Sequence, residues 1–398
     1  MTRSLLTREE ALAAVLERVR VLAAEDVSVA DVTGRFLAGD ARAVVDLPPF
    51  ASSAMDGFAV RAVDAPGRLP VVGRIAAGAP AERALGPGEA MAIATGGVVP
   101  DGADAVIPLE YVVESDNDVE IPETVGRGDN IRPRGGDVRT GDVVVPARTR
   151  LAAAHVGALA AAGIGRVSCT RRPRVAVLST GTELRRPGEP LAAGEVYEAN
   201  AAMLAAALAS ANAEVTELPA VADDEDAHRA ALEEALTADV VVTSGGVSVG
   251  PHDLVRRVRH ELGVEEVFWG VAVKPGKPLS FGVRGVTLVF GLPGNPVSSL
   301  VGAELFVRPA LLALQGAAEP GPAYEPGRLT TSTRRNPNRD EFLRAQRSIR
   351  NGEVVLEPIG GQESHMIARA ARANALVLAP RGEGELAAGD RVCYLPLG

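Results

Sequence analysis

The basic residues of this 398-residue chain draw attention to one place. Of its 41 lysines and arginines, two are lysines, Lys274 and Lys277, and both lie in Lys274-Pro275-Gly276-Lys277-Pro278. A GC-rich genome explains a preference for arginine, but not where the surviving lysines sit. Prolines stiffen such a segment and glycine permits a turn, so two ammonium groups are held in place. An ammonium is a compact point charge suited to phosphate or another oxyanion. A solvated surface turn is the plainer reading of the same five residues.

Three glycine-containing loops lie near it in sequence, each directly after an apolar run that reads as a strand. They are Ser179-Thr180-Gly181-Thr182-Glu183, Thr243-Ser244-Gly245-Gly246-Val247-Ser248-Val249-Gly250, and Gly291-Leu292-Pro293-Gly294-Asn295-Pro296. In a parallel sheet such loops gather at the carboxyl edge, where these folds bind ligands. Glycine lets the backbone approach closely, and a following helix start favours an anion. Asn295 and Pro296 suit the N-cap and first position of a helix. Ordinary tight turns are the alternative, but they do not explain the hydroxyl side chains beside the glycines. Glu183, Asp223, Asp224 and Asp253 form a carboxylate set just past these strands. Beside a phosphate site they call for a bridging cation, and magnesium takes one or two carboxylates with substrate oxygens and water. Glu183 and Asp253 are the expected metal ligands, whereas Asp224 can simply cap the next helix.

The elements that must position these residues follow from periodicity. A helix is expected over 7–24, with a capping box of Thr7 and Glu10 and apolar positions Ala11, Val15, Leu16, Val19 and Leu22. A strand-and-turn stretch then runs to about 136, with β-type pieces at 71–75, 91–94 and 105–109, and residues 137–171 are expected to return to helix. From about 172 strands at 174–178, 215–219, 239–243 and 287–290 alternate with helices near 197–212, 224–237, 251–262 and 296–315. That is the pattern of a doubly wound, three-layer domain. A linker is expected around 316–327, and the remainder reads as mostly β. Within the first β-rich stretch, residues 49–59 and 130–137 carry Asp56, Arg132 and Asp137, and a turn and a charged loop are their default readings.

Composition narrows the class. With 46% hydrophobic residues the chain is not disordered, and two separated cysteines exclude a disulfide scaffold. No clustered Cys/His zinc site is visible, and a net charge of −10 argues against bulk nucleic-acid binding. The Ala-rich runs near 151–165 and 199–213 are too short for a membrane span of about 20 residues. The first ten residues lack the apolar core of a signal peptide, so a reducing, cytoplasmic setting is expected, with no membrane partner.

Taken together, PPFASSAMDGFA, ATGGVVPDGADAV, NIRPRGGD, LSTGTEL, TSGGVSVGPHD, KPGKP, GLPGNPVSS, EFLRA and GQESHMIARAARANAL resemble the molybdopterin molybdenumtransferases, the MoeA-like proteins related to the gephyrin E domain. These segments are collinear and span nearly the whole chain. The resemblance implies a multidomain α/β plus β fold. Domain I would comprise 1–45 and 137–171, with the β-rich domain II inserted at 46–136. A MogA-like three-layer α/β pterin-binding domain III would occupy 172–318, and a β-barrel-like domain IV 319–398. The implied reaction inserts molybdenum from molybdate into the dithiolene of adenylylated molybdopterin, hydrolysing the adenylate to leave molybdenum cofactor and AMP with the help of Mg2+. The two sulfurs that take the metal belong to the pterin, so no cysteine cluster is needed.

By position, the catalytic set would be Asp56, Asp137, Glu183, Asp223, Asp253 and Lys274. The substrate-binding set would be Thr95, Arg132, Thr180, Gly181, Ser244, Gly245, Gly246, Ser248, Lys277, Pro293, Gly294, Asn295, Pro296 and Ser364. The implied partners are a second copy, in a homodimer that shares the active site, and a molybdopterin adenylyltransferase. Gly270 departs from the pattern, since family members often carry a basic residue there. An adenylyltransferase-like enzyme, resembling only 172–316, and a non-catalytic scaffold or carrier of the same fold are the alternative readings.

Overall fold

A computed structural model describes residues 5–221, 224–246 and 254–397. The chain divides into two compact units, one of Met1–Glu25, Gly34–Phe36 and Thr170–Gly398, the other of Asp26–Thr33 and Leu37–Cys169.

In the first unit, helix α1 (Arg8–Leu16) opens on the expected capping box. Glu10 N donates to Thr7 Oγ1 at 3.1 Å, and Thr7 N donates to Glu10 Oε2 at 2.8 Å. The helix is shorter than its periodicity suggests. Val19 and Leu22 still pack on the core, but from irregular chain, where Leu22 N donates to Leu314 O. Tertiary pairing has replaced the next helical bonds.

Six strands form the central sheet: β1 (Arg174–Ser179), β2 (Glu214–Glu217), β3 (Val240–Ser244), β4 (Glu265–Trp269), β5 (Ser280–Arg284) and β6 (Thr287–Leu292). Their order is β2-β1-β3-β6-β5-β4, parallel from β2 to β6, with β5 antiparallel to both β6 and β4. The helices are α2 (Asn200–Ala209), α3 (Glu225–Ala235), α4 (Leu254–Glu261) and α5 (Pro296–Leu314). Val175, Val177, Val240 and Val242 face α2 and α5, while Ala176, Leu178 and Val241 face α3 and α4. This period-two division places a core on each side of the sheet and produces the expected three layers. Strands β4 and β5 were not among those expected. They close the antiparallel edge, where β4 is only partly covered and so lacks a continuous apolar run. Helix α5 is long and apolar enough to cross a membrane, yet most of it is buried in this core.

The same unit also holds a closed five-stranded barrel. Around it run Asp340–Arg350, Glu353–Pro358, Glu325–Leu329, Arg391–Pro396 and Ala375–Ala379, the last pairing back to the first. Leu343, Leu356, Val377 and Tyr394 fill its interior. Glu325–Leu329 begins inside the stretch expected to be linker. A two-residue strand, Val273–Lys274, adds in parallel to Asp340–Arg350 and ties the connection between β4 and β5 to the barrel.

The second unit holds a six-stranded sheet in the order Ala105–Pro108, Gly57–Val60, Ala90–Ile93, Gly67–Ile75, Asp118–Ile121, Val113–Glu114. Phe58 and Val60 enter one core and Ala59 the other, again by strand alternation. A separate core joins Leu37, Ala41 and Ala43 to Val145, Leu151, Leu159 and Val167. Here the expectation of helix over 137–171 is corrected. Only Ala153–Ala161 is helical, while Val143–Val145 pairs with Ala41–Arg42 as a strand and Arg166–Thr170 is extended. The β-branched run Val143-Val144-Val145 suits a half-buried strand better than a helix.

Candidate active site

The three glycine loops follow β1, β3 and β6, which are adjacent in the sheet, so their ends converge at one edge. Thr180 N donates to Ser244 O at 3.0 Å, and Gly181 N donates to Val221 O at 3.1 Å. Gly245, at φ +92°, sits so close to the first loop that a methyl group there would lie 2.7 Å from Thr180 O. Gly246 takes up the turn after it, and Gly294 approaches Gly245 from the third loop. Asn200, at the start of α2, joins two of the loops, its Nδ2 donating to Ser244 Oγ at 2.8 Å and to Gly294 O at 2.7 Å. Ser299 on α5 donates to Pro293 O and lies 3.3 Å from Ser244 Oγ. Glu198 supports the first loop, accepting from Ser179 Oγ at 2.8 Å and from Ala201 N at 2.9 Å.

Beside this edge lies a cavity of about 690 Å³, lined on one side by Lys274, Gly276 and Lys277 and on another by Pro293 and Asn295. Its remaining wall belongs to the barrel and includes Arg339, Gln362, Glu363, Ser364 and His365. The lysine segment is held by its backbone, with Val271 N donating to Lys277 O at 3.0 Å and Leu279 N donating to the same oxygen at 2.9 Å. Asn295 takes the N-cap position ahead of Pro296, but its side chain makes no capping bond. Its amide instead donates to Ser364 Oγ at 2.9 Å, and Val297 N donates to Ser364 O at 3.1 Å. The Ser364 loop is fixed from behind by Arg344, buried at 2% exposure. Its guanidinium donates to Gly361 O at 2.9 Å, Glu363 O at 3.1 Å and Gln362 Oε1 at 3.2 Å. Burial holds the Arg344 pKa below its ordinary value. The cavity therefore presents two ammonium groups and a guanidinium against one carboxylate, Glu363, with small polar donors on a rigid frame, a net positive lining suited to an oxyanion.

In the second unit, three sequence segments meet at Ser52–Ser53. Ile131 and Arg132 pair with Ser53 and Ser52, Gly96 N donates to Ser53 O at 2.9 Å, and Val99 N donates to Ala51 O at 3.0 Å. The segment 49–59 is thus a short strand, Ser52–Ser53, leading into the interior sheet strand Gly57–Val60, and the default turn reading is replaced. Asp56 Oδ1 accepts from Thr95 N at 2.6 Å and Thr95 Oγ1 at 2.9 Å, and these donors hold its pKa below the ordinary carboxylate range. Asp137 is exposed, with its backbone N donating to Leu47 O at 2.9 Å.

Three regions of the chain match known families. Residues 6–163 match the MoeA N-terminal region (domain I and II), 176–313 the probable molybdopterin binding domain, and 326–397 the MoeA C-terminal region (domain IV). A Haemophilus influenzae protein named molybdopterin molybdenumtransferase is 34% identical over 98% of both chains. The chain belongs to the MoeA family. A Mycobacterium tuberculosis relative named molybdopterin molybdenumtransferase 2 is 37% identical over 95% of this chain and 96% of its own. A crystal structure of a molybdopterin biosynthesis MoeA protein from Pyrococcus horikoshii OT3 superposes with a TM-score of 0.85, at 29% identity over 99% of this chain and all of that one.

Within this MoeA-family chain, Lys274, Lys277, Pro293, Asn295 and Ser364 line the one cavity described above, and Thr180, Gly181, Ser244, Gly245, Gly246 and Gly294 build the neighbouring sheet edge. Asp56, Thr95 and Arg132 belong to the second unit's three-segment junction. Asp223, Ser248 and Asp253 lie outside the described residues. Asp224 caps α3, accepting from Ala227 N at 2.9 Å. Sequence reasoning passed over Asn200, Glu198, Ser299, Glu341, Arg344 and Gln362. Asn200 was open to detection, as a polar residue heading an otherwise apolar Ala/Leu helix. Ser299, Glu341, Arg344 and Gln362 lie within the family-like segments GLPGNPVSS, EFLRA and GQESHMIARAARANAL, but nothing in those segments gave them a role.

Gly270 stands where the resemblance implies a basic residue, and its backbone accounts for the glycine. Its φ is +89°, a conformation that side chains rarely adopt, and a Cβ there would lie 2.7 Å from Leu5 Cδ2. A basic side chain does not fit this backbone.

Asp46 anchors the 130–140 segment, accepting from Arg134 Nε at 2.6 Å, Thr140 N at 2.8 Å and Thr140 Oγ1 at 2.9 Å. The Thr140 donors, backbone first, with Arg134 then lower its pKa to about 2. A carboxylate depressed in the folded state stabilises above its ordinary pKa, and that contribution is lost as pH falls through the folded value. Asp46→Asn is therefore expected to lower the urea midpoint at neutral pH. The gap to wild type should close as pH falls from about 4 to about 2. A gap that stays constant over that window would contradict the assignment.

Proposed function

We propose that this chain is a molybdopterin molybdenumtransferase, inserting molybdenum from molybdate into the dithiolene of adenylylated molybdopterin and releasing molybdenum cofactor and AMP. The observation that carries this reading is the cavity where Lys274, Lys277, Asn295 and Ser364 face one another beside three convergent glycine loops. Family regions matched on both sides of 176–313 favour it over an adenylyltransferase built from the α/β part alone.

In this reading the two ammonium groups and the Ser364 hydroxyl bind and orient the tetrahedral oxyanion, and the loop backbones receive the pterin nucleotide's phosphates. Electrostatic stabilisation and positioning dominate, with no covalent bond to the protein. Among the described residues no group of three His, Cys, Asp or Glu is placed to hold a metal ion. Glu183 is exposed at the sheet edge with its carboxylate drawn over Gly181, a hard oxygen donor next to the phosphate loops. One such donor fits magnesium, which keeps waters and takes its other ligands from substrate phosphates. Glu183 would hold it, with Asp253 the second proposed ligand. The ion would neutralise charge on the adenylate.

A homodimer whose second subunit completes the site, a reducing cytoplasmic setting, and delivery of substrate by an adenylyltransferase belong to the same proposal and rest on the family resemblance. The test is to incubate purified protein with adenylylated molybdopterin and Mg2+, with and without molybdate. Active cofactor and AMP are expected only when molybdate is present. No molybdate-dependent product, or synthesis of the adenylate in a parallel incubation with ATP and molybdopterin in place of the adenylate, would sink the reading.

A further inference from the structure

Against the oxyanion cavity stands a carboxylate for which the proposed reaction has no use. Glu341 is the second residue of the barrel strand Asp340–Arg350, and that strand pairs in parallel with Val273–Lys274, bringing Lys274 and Glu341 into register. Glu341 Oε1 lies 2.9 Å from Lys274 Nζ. The Glu341 side chain is 10% exposed and that of Lys274 is 43% exposed, so a nearly buried anion anchors a half-open cation. Among the described residues Lys277 forms no ion pair. The two lysines of the cavity are therefore unlike: one is tethered and partly neutralised, the other presents its full charge.

A carboxylate so placed has two effects. It holds the end of a flexible four-carbon stem in one direction, and it repels an anion arriving at the same ammonium. Glu341 thus offsets one of the two lysine charges, while Arg339 and the Glu363 carboxylate stand elsewhere on the cavity wall.

We propose that Glu341 is a positioning residue that aims Lys274 and moderates its charge, so that a tetrahedral dianion is bound and passed on rather than held. The proposal rests on the oxyanion reading of the cavity. It predicts opposite effects on binding and turnover, which a purely structural contact would not give.

Glu341→Gln keeps the shape and leaves an oxygen to accept from Nζ while removing the charge. Its affinity for molybdate, measured calorimetrically on the full chain, is expected to rise by about threefold or more, the scale of one partly exposed ion pair. The KM for molybdate should fall and kcat should fall with it. Glu341→Asp keeps the charge but withdraws it from Nζ, and is expected to lower kcat without tightening molybdate. Lys277→Ala, run in parallel, should lose most molybdate binding. If Lys277→Ala weakens binding but both Glu341 variants match wild type in affinity and kcat, this inference is overturned and the cavity reading stands. If molybdate binding to wild type is absent, or indifferent to Lys277→Ala, both are overturned.

Discussion

Replacing Lys274 and Lys277 together with alanine is expected to lower molybdenum transfer by roughly 10²- to 10⁴-fold, since each charge-assisted hydrogen bond is worth about 1.5–3 kcal/mol and about 1.4 kcal/mol is tenfold. The fold should survive, because the segment is held by backbone bonds from Val271 N and Leu279 N to Lys277 O, and by pairing of Val273–Lys274 with the barrel strand. None of these uses an ammonium group. Replacing both lysines with arginine is expected to restore little. A planar guanidinium spreads its charge over a fork, whereas the cavity wall around Gly276 and Ser364 receives a compact cation on a flexible stem. The measurement is molybdate-dependent appearance of AMP and cofactor, alongside thermal unfolding of each variant. A double-alanine variant that keeps at least a third of wild-type turnover would remove the lysines from the site.

Gly57→Ala should act on stability rather than on chemistry, and it has the largest structural effect expected in this chain. A methyl group at Gly57 would lie 2.0 Å from Ile107 O and 2.8 Å from Ile107 C. Gly57 is paired on both sides, with Ile93 on an interior strand and Pro108 on the edge strand, and that edge strand is held from outside by Val106 N donating to Asp129 O at 2.9 Å. Overpacking with no room for relaxation costs about 3 kcal/mol or more. The second unit is expected to become protease-sensitive and to unfold at lower urea, taking Asp56, the preceding residue, out of its bond with Thr95. A wild-type urea midpoint would show that the strands shift more freely than their register suggests.

These two variants mark different kinds of legibility. The lysines were visible without any fold, because a composition almost free of lysine keeps both in five residues. Gly57 sits in a segment whose default reading is a turn, and nothing in Ala54-Met55-Asp56-Gly57-Phe58 says that a carbonyl from residue 107 crosses at that point. Short strands such as Ser52–Ser53 and Val273–Lys274 were equally hidden. Two residues have no periodicity, and their conformation is imposed by the partner strand. The loss of helix before Ala153 in the 137–171 stretch has the same origin, since Val143–Val145 is recruited by Ala41–Arg42 from about a hundred residues earlier.

What the amino-acid sequence determined by itself was the set of local preferences that are strong and additive. These were the alternating apolar runs that split across a sheet, the capping box at Thr7 and Glu10, the glycine turns after β1, β3 and β6, and the isolated pair of lysines. From these the three-layer domain could be read, with its glycine loops gathered at one sheet edge. The tertiary structure alone decided which side chains face one another: Asn295 turned from capping its helix to bonding Ser364, Arg344 buried behind the Ser364 loop, and Glu341 aligned with Lys274. Contacts of this kind join residues tens of positions apart, and their energy comes from burial and register. Neither exists until the sheet and the barrel have closed.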